Sequence, residues 1–188
     1  TGAPAMQGSV VNSGTISANS TALGGGAFAS GLFIANSVAS DALIENQLTG
    51  EITATATGML AAAMGVGAEN FSGMLENDGV ISAHANSNGY MGAAFGIYAQ
   101  TFSGVVNNRG TISAANTDGG EGLVAGFYNE SMWGGEINNY GTIAGTAGAG
   151  SEAYSILNTD SEGSGTINNM LGGVLRGTLQ VYGYGANV

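Results

Sequence analysis

The stretch Val105–Ala114 reads VVNNRGTISA, and one skeleton within it recurs along the whole chain. An apolar residue is followed at two-residue steps by Asn, Gly, Ile and Ala: Val106, Asn108, Gly110, Ile112, Ala114. The same skeleton appears as Val10-Asn12-Gly14-Ile16-Ala18, Leu75-Asn77-Gly79-Ile81-Ala83 and Ile137-Asn139-Gly141-Ile143. Two copies carry two extra residues before the Gly, Ile44-Asn46-Gly50-Ile52-Ala54 and Ile167-Asn169-Gly173-Leu175. The asparagine therefore falls at 12, 46, 77, 108, 139 and 169, at spacings of 34, 31, 31, 31 and 30. A period this steady marks a repeat architecture, in which each unit buries its apolar face against the next.

Reading alternate positions from Phe102 gives Phe102, Gly104, Val106, Asn108, Gly110, Ile112 and Ala114, while the intervening residues are mostly polar. Period-two alternation is the signature of strands with one face turned to a core. The Asn-x-Gly step is read as a bend between two short strands, because Asn and Gly tolerate left-handed backbone angles. The insertions Leu48-Thr49 and Leu171-Gly172 fall inside that bend, where loops accept extra residues. A second apolar segment follows a polar, Gly-rich passage in each unit, as at Ala63-Met64-Gly65-Val66 and Ala94-Phe95-Gly96-Ile97. It supplies a third strand. Three short strands and three bends in about 31 residues describe one coil of a parallel β-helix, with like residues stacked at the ~4.8 Å strand spacing. The expectation is a single all-β domain over residues 1–188, a β-solenoid of about six coils. Val10, Ile44, Leu75, Val106, Ile137 and Ile167 should form one buried column, and Ile16, Ile52, Ile81, Ile112, Ile143 and Leu175 a second. A helical solenoid conflicts with Gly and Asn in every unit, since each Gly costs about 1 kcal/mol in a helix relative to Ala.

Composition narrows the partners. The chain has 44% apolar residues, 35 glycines, no Cys, two basic residues and a net charge of −11. Nucleic acid and anionic membrane surfaces need a basic face, so neither is expected as a partner. Without Cys there are no disulfides and no thiolate chemistry. No apolar run is long enough for a membrane span. Thr1 is not Met and no signal peptide is visible, which suggests a processed product.

The runs Asn12–Ala18 and Asn108–Ala114, with Asn77–Ala83 and Asn139–Ala144 close behind, resemble the repeats of bacterial autotransporter passengers and filamentous, haemagglutinin-like adhesins. That resemblance spans nearly all the chain. It implies secretion across the envelope and display at the cell surface as a right-handed parallel β-helix.

Candidate sites follow from the columns. Asn12, Asn46, Asn77, Asn108, Asn139 and Asn169 are expected to form an internal amide ladder, bonded to one another and to backbone at the bend. Met6, Phe71, Phe102 and Trp133 recur six residues before an Asn, with Ser40 and Gly163 in the same phase, and share the parity of the core. The tyrosines Tyr90, Tyr98, Tyr128, Tyr140, Tyr154, Tyr182 and Tyr184 are candidates for surface contact, without a grouping that the repeat reveals. Calcium is the one cofactor with any support: Asp118 and Glu121 flank Gly119-Gly120, and Asp160 and Glu162 bracket Ser161, although solvated acidic loops explain both. His84 has no Ser–Asp partners in a recognisable pattern, and Arg109 and Arg176 lie in different coils near no obvious acidic cluster. No paired carboxylates of the kind glycosidases need are evident, so an enzyme is not expected.

Two function classes remain: a building block of an extracellular fibre, and an adhesin that binds glycans or other cell-surface material. The absence of a large irregular loop favours the first. Phase supports it too, because a coil starting 31 residues after Gly163 would place position 194 on Met6 of a second copy. Head-to-tail self-assembly is therefore expected, with Thr1, Pro4, Met6 and Val10 on one face and Leu179, Val181, Tyr182, Tyr184 and Val188 on the other.

Overall fold

The computed structural model describes residues 4–88, 90–117, 121–161 and 163–182, and its chain winds as a parallel β-solenoid. The first two coils contribute β1 (Ser9–Asn12), β2 (Thr15–Thr21), β3 (Gly26–Val38), β4 (Leu43–Asn46), β5 (Glu51–Thr57) and β6 (Leu60–Phe71). The next two add β7 (Met74–Asn77), β8 (Val80–Asn86), β9 (Met91–Phe102), β10 (Val105–Asn108), β11 (Thr111–Asn116) and β12 (Glu121–Asn129). The last are β13 (Glu136–Asn139), β14 (Thr142–Ala147), β15 (Ser151–Asn158), β16 (Thr166–Asn169), β17 (Val174–Arg176) and β18 (Thr178–Val181). Every third strand joins the same sheet. The first sheet runs β1-β4-β7-β10-β13-β16, the second β2-β5-β8-β11-β14-β17 and the third β3-β6-β9-β12-β15-β18, all parallel. With six strands in each sheet, the chain makes about five full turns at the expected period. The described residues contain no helix, and hence none long and apolar enough to cross a membrane.

Both apolar columns are in register. Val10 pairs with Ile44, then Leu75, Val106, Ile137 and Ile167, and Ile16 leads through Ile52, Ile81, Ile112 and Ile143 to Leu175. The inner members of both columns are wholly buried. Each such side chain contributes about 1.5–3 kcal/mol of burial free energy. Between them lie the rings of Phe71, Phe102, Phe127 and Trp133, the last three packed edge to face with centroids 5.0–5.6 Å apart. The bulky column is therefore core. Its member in the second coil is Val38, which pairs with both Met6 and Phe71, and the exposed Ser40 takes no part.

Two local expectations need correction. The recurring bend glycines, Gly14, Gly50, Gly79, Gly110, Gly141 and Gly173, are not left-handed: the described glycines with positive φ are Gly8, Gly150, Gly177 and the inserted Gly172, and the one other residue is Asn88. What the bend requires is proximity. A β-carbon on Gly110 would collide with the Gly79 carbonyl oxygen of the preceding coil, and one on Gly141 with that of Gly110. The third strand is also not short; β3, β6 and β9 have 13, 12 and 12 residues. Each bends within its length at Gly31, Gly65 or Gly96, where the backbone presses inward. A β-carbon there would lie 2.7–2.8 Å from Cγ2 of Ile52, Ile81 or Ile112. Alternation then breaks, because Gly65 and Val66 are consecutive and both buried, and so are Gly96 and Ile97.

Candidate functional site

The amide ladder forms as expected, and it has a direction. Asn12 donates from Nδ2 to Oδ1 of Asn46, Asn46 to Asn77, Asn77 to Asn108, Asn108 to Asn139 and Asn139 to Asn169, each at 2.8 Å. The same nitrogens also reach backbone carbonyls one coil on, Val80 at 3.1 Å from Asn46 and Thr142 at 3.0 Å from Asn108. Those carbonyls fix which way each amide is turned, since only the nitrogen can donate to them. The inner asparagines are fully buried and satisfied. At one end the Oδ1 of Asn12 accepts, among the described residues, only the backbone N–H of Gly14 at 3.2 Å. At the other, exposed Asn169 donates to the Gly173 carbonyl at 3.1 Å and meets no further rung among the described residues. One end of the column offers an acceptor and the other a donor.

A second amide pair escaped the sequence reading. Buried Asn129 donates to Oδ1 of Asn158 at 2.9 Å, and Asn158 to the Tyr182 carbonyl at 2.8 Å. The signal was a shared register position, but the preceding coil has Ala99 there, so no column was visible.

The bend in the third sheet creates a concave outer face. Outward positions on either side of the bend are three residues apart, which in a straight strand separates them by about 10 Å. Phe95 and Tyr98 instead bring their ring centroids to 5.9 Å. The groove runs parallel to the solenoid axis. One wall is the register column Ser30, Met64, Phe95, Ala125, Tyr154; the other is Phe33, Gly67, Tyr98, Tyr128, Leu157. Phe95 stacks on Tyr128 at 4.7 Å, and Tyr154 and Leu157 are buried although both sit outside the main core. Three of the sequence-predicted tyrosines thus come together here.

Carboxylates tie down the phenols. Tyr98 donates to Glu130 at 2.5 Å and Tyr154 to Glu152 at 2.6 Å. Burial pushes the Tyr98 phenol well above the ordinary range, and the Glu130 hydrogen bond and the charges of Glu130 and Glu69 push the same way. For Tyr154 the bond to Glu152 comes first and burial second, moving it up to about 12. Burial likewise raises Tyr128, against a lowering hydrogen bond with Thr159. All three stay neutral over any ordinary pH.

The other predicted residues are placed as follows. Asp118 and Glu162 lie outside the described residues. Glu121 opens β12 in an exposed position, and Asp160 accepts the backbone N–H of Trp133 at 3.1 Å, a structural role. Among the described residues, which leave out two of the four calcium candidates, no three metal-ligating side chains cluster. Arg109 does have acidic neighbours, contrary to the sequence reading: Glu76 and Asp78 each lie 3.5 Å from it, and its guanidinium sits 5.7 Å from the Tyr140 ring centre. The parallel stacking brings these acids, one coil back, beneath it. His84 meets Asn86 Oδ1 at 2.7 Å and Thr117 Oγ1 at 3.3 Å, with no nucleophile–base–acid arrangement. At the predicted assembly faces, Pro4 is exposed, Met6, Val10, Leu179 and Val181 are half-buried, and Tyr182 is exposed; Thr1, Tyr184 and Val188 lie outside the described residues.

Compared with protein-family models, with curated proteins and with solved structures, the chain matches none.

Proposed function

We propose that this chain is a non-enzymatic structural rod of an extracellular, cell-surface fibre, and that its coils stack head to tail on those of a second copy. The observation that carries this reading is the polarity of the asparagine column. Asn12 presents an amide oxygen and Asn169 an amide N–H, so the two ends are complementary partners for one more rung. The surrounding apolar columns support it. Val10, Ile16, Leu32 and Ile34 at one end, and Leu175, Leu179 and Val181 at the other, are only half-buried where their inner counterparts are fully buried. A contact of this head-to-tail kind repeats without closing and yields a filament. Secretion of the bacterial surface type goes with the resemblance of the repeats.

The glycan-binding alternative draws on exposed ring faces. Phe95 and Tyr128 cover each other, which favours the rod.

Electron microscopy and sedimentation of the purified chain test the proposal. Filaments should appear as concentration rises, and Val181→Glu should abolish them while circular dichroism still reports the β-solenoid. A chain that stays monomeric at high concentration overturns it.

A further inference from the structure

Six bends join the first sheet to the second, and each carries a glycine of the repeat. In five of them the preceding coil explains the glycine. A β-carbon on Gly50 would press on the Asn12 carbonyl oxygen, one on Gly79 on those of Gly50 and Gln47, and one on Gly173 on that of Asn139. Gly110 and Gly141 are confined in the same way. Gly14 is the exception. It is exposed, and among the described residues nothing lies within 4 Å of where its β-carbon would stand. Its φ is not left-handed, so the backbone angle does not call for glycine either. Glycine loses more conformational freedom on folding than any other residue, and close approach of another backbone is what that cost usually serves.

The step from the β4–β5 loop to the β7–β8 bend shows what such an approach looks like. Asp78 and Gly79 donate their N–H groups to the Asn46 carbonyl at 2.8 and 3.2 Å, and Val80 donates to the Gly50 carbonyl at 2.9 Å. The corresponding residues of the first bend are Ser13, Gly14 and Thr15. Strands β1 and β2 are the edges of their sheets, so these N–H groups have no coil to donate to. At the other edges lie β16 and β17, joined by the second inserted loop. That loop matches the first bond for bond. Gln47 donates to Asn12 at 2.9 Å and Met170 to Asn139 at 2.8 Å; Gly50 donates to Gln47 at 2.7 Å and Gly173 to Met170 at 2.8 Å. Asn46 and Asn169 each hold the following glycine carbonyl, Gly50 or Gly173, at 3.1 Å.

We propose that the β16–β17 loop of one copy is the seat for the β1–β2 bend of the next, with Gly14 packed against the Met170 and Gly173 carbonyls as Gly79 packs against those of Gln47 and Gly50. Ser13 and Gly14 then donate to the Asn169 carbonyl, and Thr15 to that of Gly173. The partner is a second copy because an inserted loop followed by a plain bend is a step the chain already makes once within itself. Neither Ser13-Gly14 nor Met170–Gly173 carries a charge, so two chains of net charge −11 meet there without opposing carboxylates. This inference rests on the head-to-tail reading above and sets its register, β1 on β16 and β2 on β17.

Gly14→Ala tests it. The methyl enters open space in the single chain, so the melting temperature by circular dichroism should stay unchanged or rise slightly. In sedimentation the concentration at which filaments appear should rise roughly tenfold or more, because the same methyl overpacks the joint. Gly134→Ala, equally open but on the flank of the rod, should change neither. Gly14→Ala keeps its own β16–β17 loop, so a minor proportion mixed with the original chain should cap and shorten its filaments in electron micrographs. If the original chain forms filaments and Gly14→Ala forms them at the same concentration, this joint is overturned and the head-to-tail reading stands. An original chain that stays monomeric overturns both. A lowered melting temperature in Gly14→Ala, which would mean that the position is already filled, or an equal loss of assembly in Gly134→Ala also overturns the assignment.

Discussion

The indole ring of Trp133 occupies the space that a β-carbon on Gly165 would need, with its Nε1 overlying the glycine. The two residues belong to successive coils, and the pairing lets the largest core side chain fit next to Phe102 in a column whose other members are smaller. Its Nε1 is buried without a hydrogen-bond partner among the described residues.

Gly165→Ala should therefore force Trp133 aside and destabilise the fold by roughly 1–3 kcal/mol, the usual range for overpacking. Trp133 is the only tryptophan, so its fluorescence should shift to the red in the same variant. Trp133→Phe removes an unsatisfied N–H along with some volume, and should cost less than Gly165→Ala in thermal denaturation.

Position along the amide ladder sets the cost of breaking it. Asn108→Ala leaves an N–H of Asn77 and an oxygen of Asn139 without their partner inside a dry column. A loss of about 2–4 kcal/mol in chemical denaturation is expected, from two orphaned polar groups. Asn169→Ala, at the exposed end, should cost under about 1 kcal/mol. Equal losses at both sites would show that the ladder carries no energy of its own.

Alkaline pH should weaken the fold through the groove phenols. Tyr98, Tyr128 and Tyr154 all have raised folded-state pKa values, so the folded chain holds these protons more firmly than the unfolded one. The stability they contribute is full below pH 10 and is lost as pH climbs through about 12, where Tyr154 ionises. Ultraviolet titration of phenolate should show Glu152→Gln lowering the Tyr154 transition toward the ordinary tyrosine value.

Arg109→Ala should change stability by less than about 1 kcal/mol, because its contacts with Glu76 and Asp78 are at 3.5 Å and its side chain is half exposed. Raising the salt concentration should shrink even that difference. A large, salt-independent loss would mean that the alkyl stem, not the charge, matters.

The repeated columns were legible in the residues because a parallel solenoid sets like positions one coil apart directly over one another. Asn108 above Asn77 and Ile112 above Ile81 are identities that a 31-residue period exposes without coordinates. Loop insertions were legible for the same reason, and Leu48 and Leu171 are indeed fully outside the ladder. The groove was not. Its geometry depends on Gly65 and Gly96 pressing toward Ile81 and Ile112, so that two consecutive residues turn inward and the outward ones close on each other. Period-two reading assigns one face per parity and cannot register that slip. Phe95, Tyr98 and Tyr128 accordingly looked unrelated in the chain, and only the bend of the third sheet under tertiary packing made them one surface.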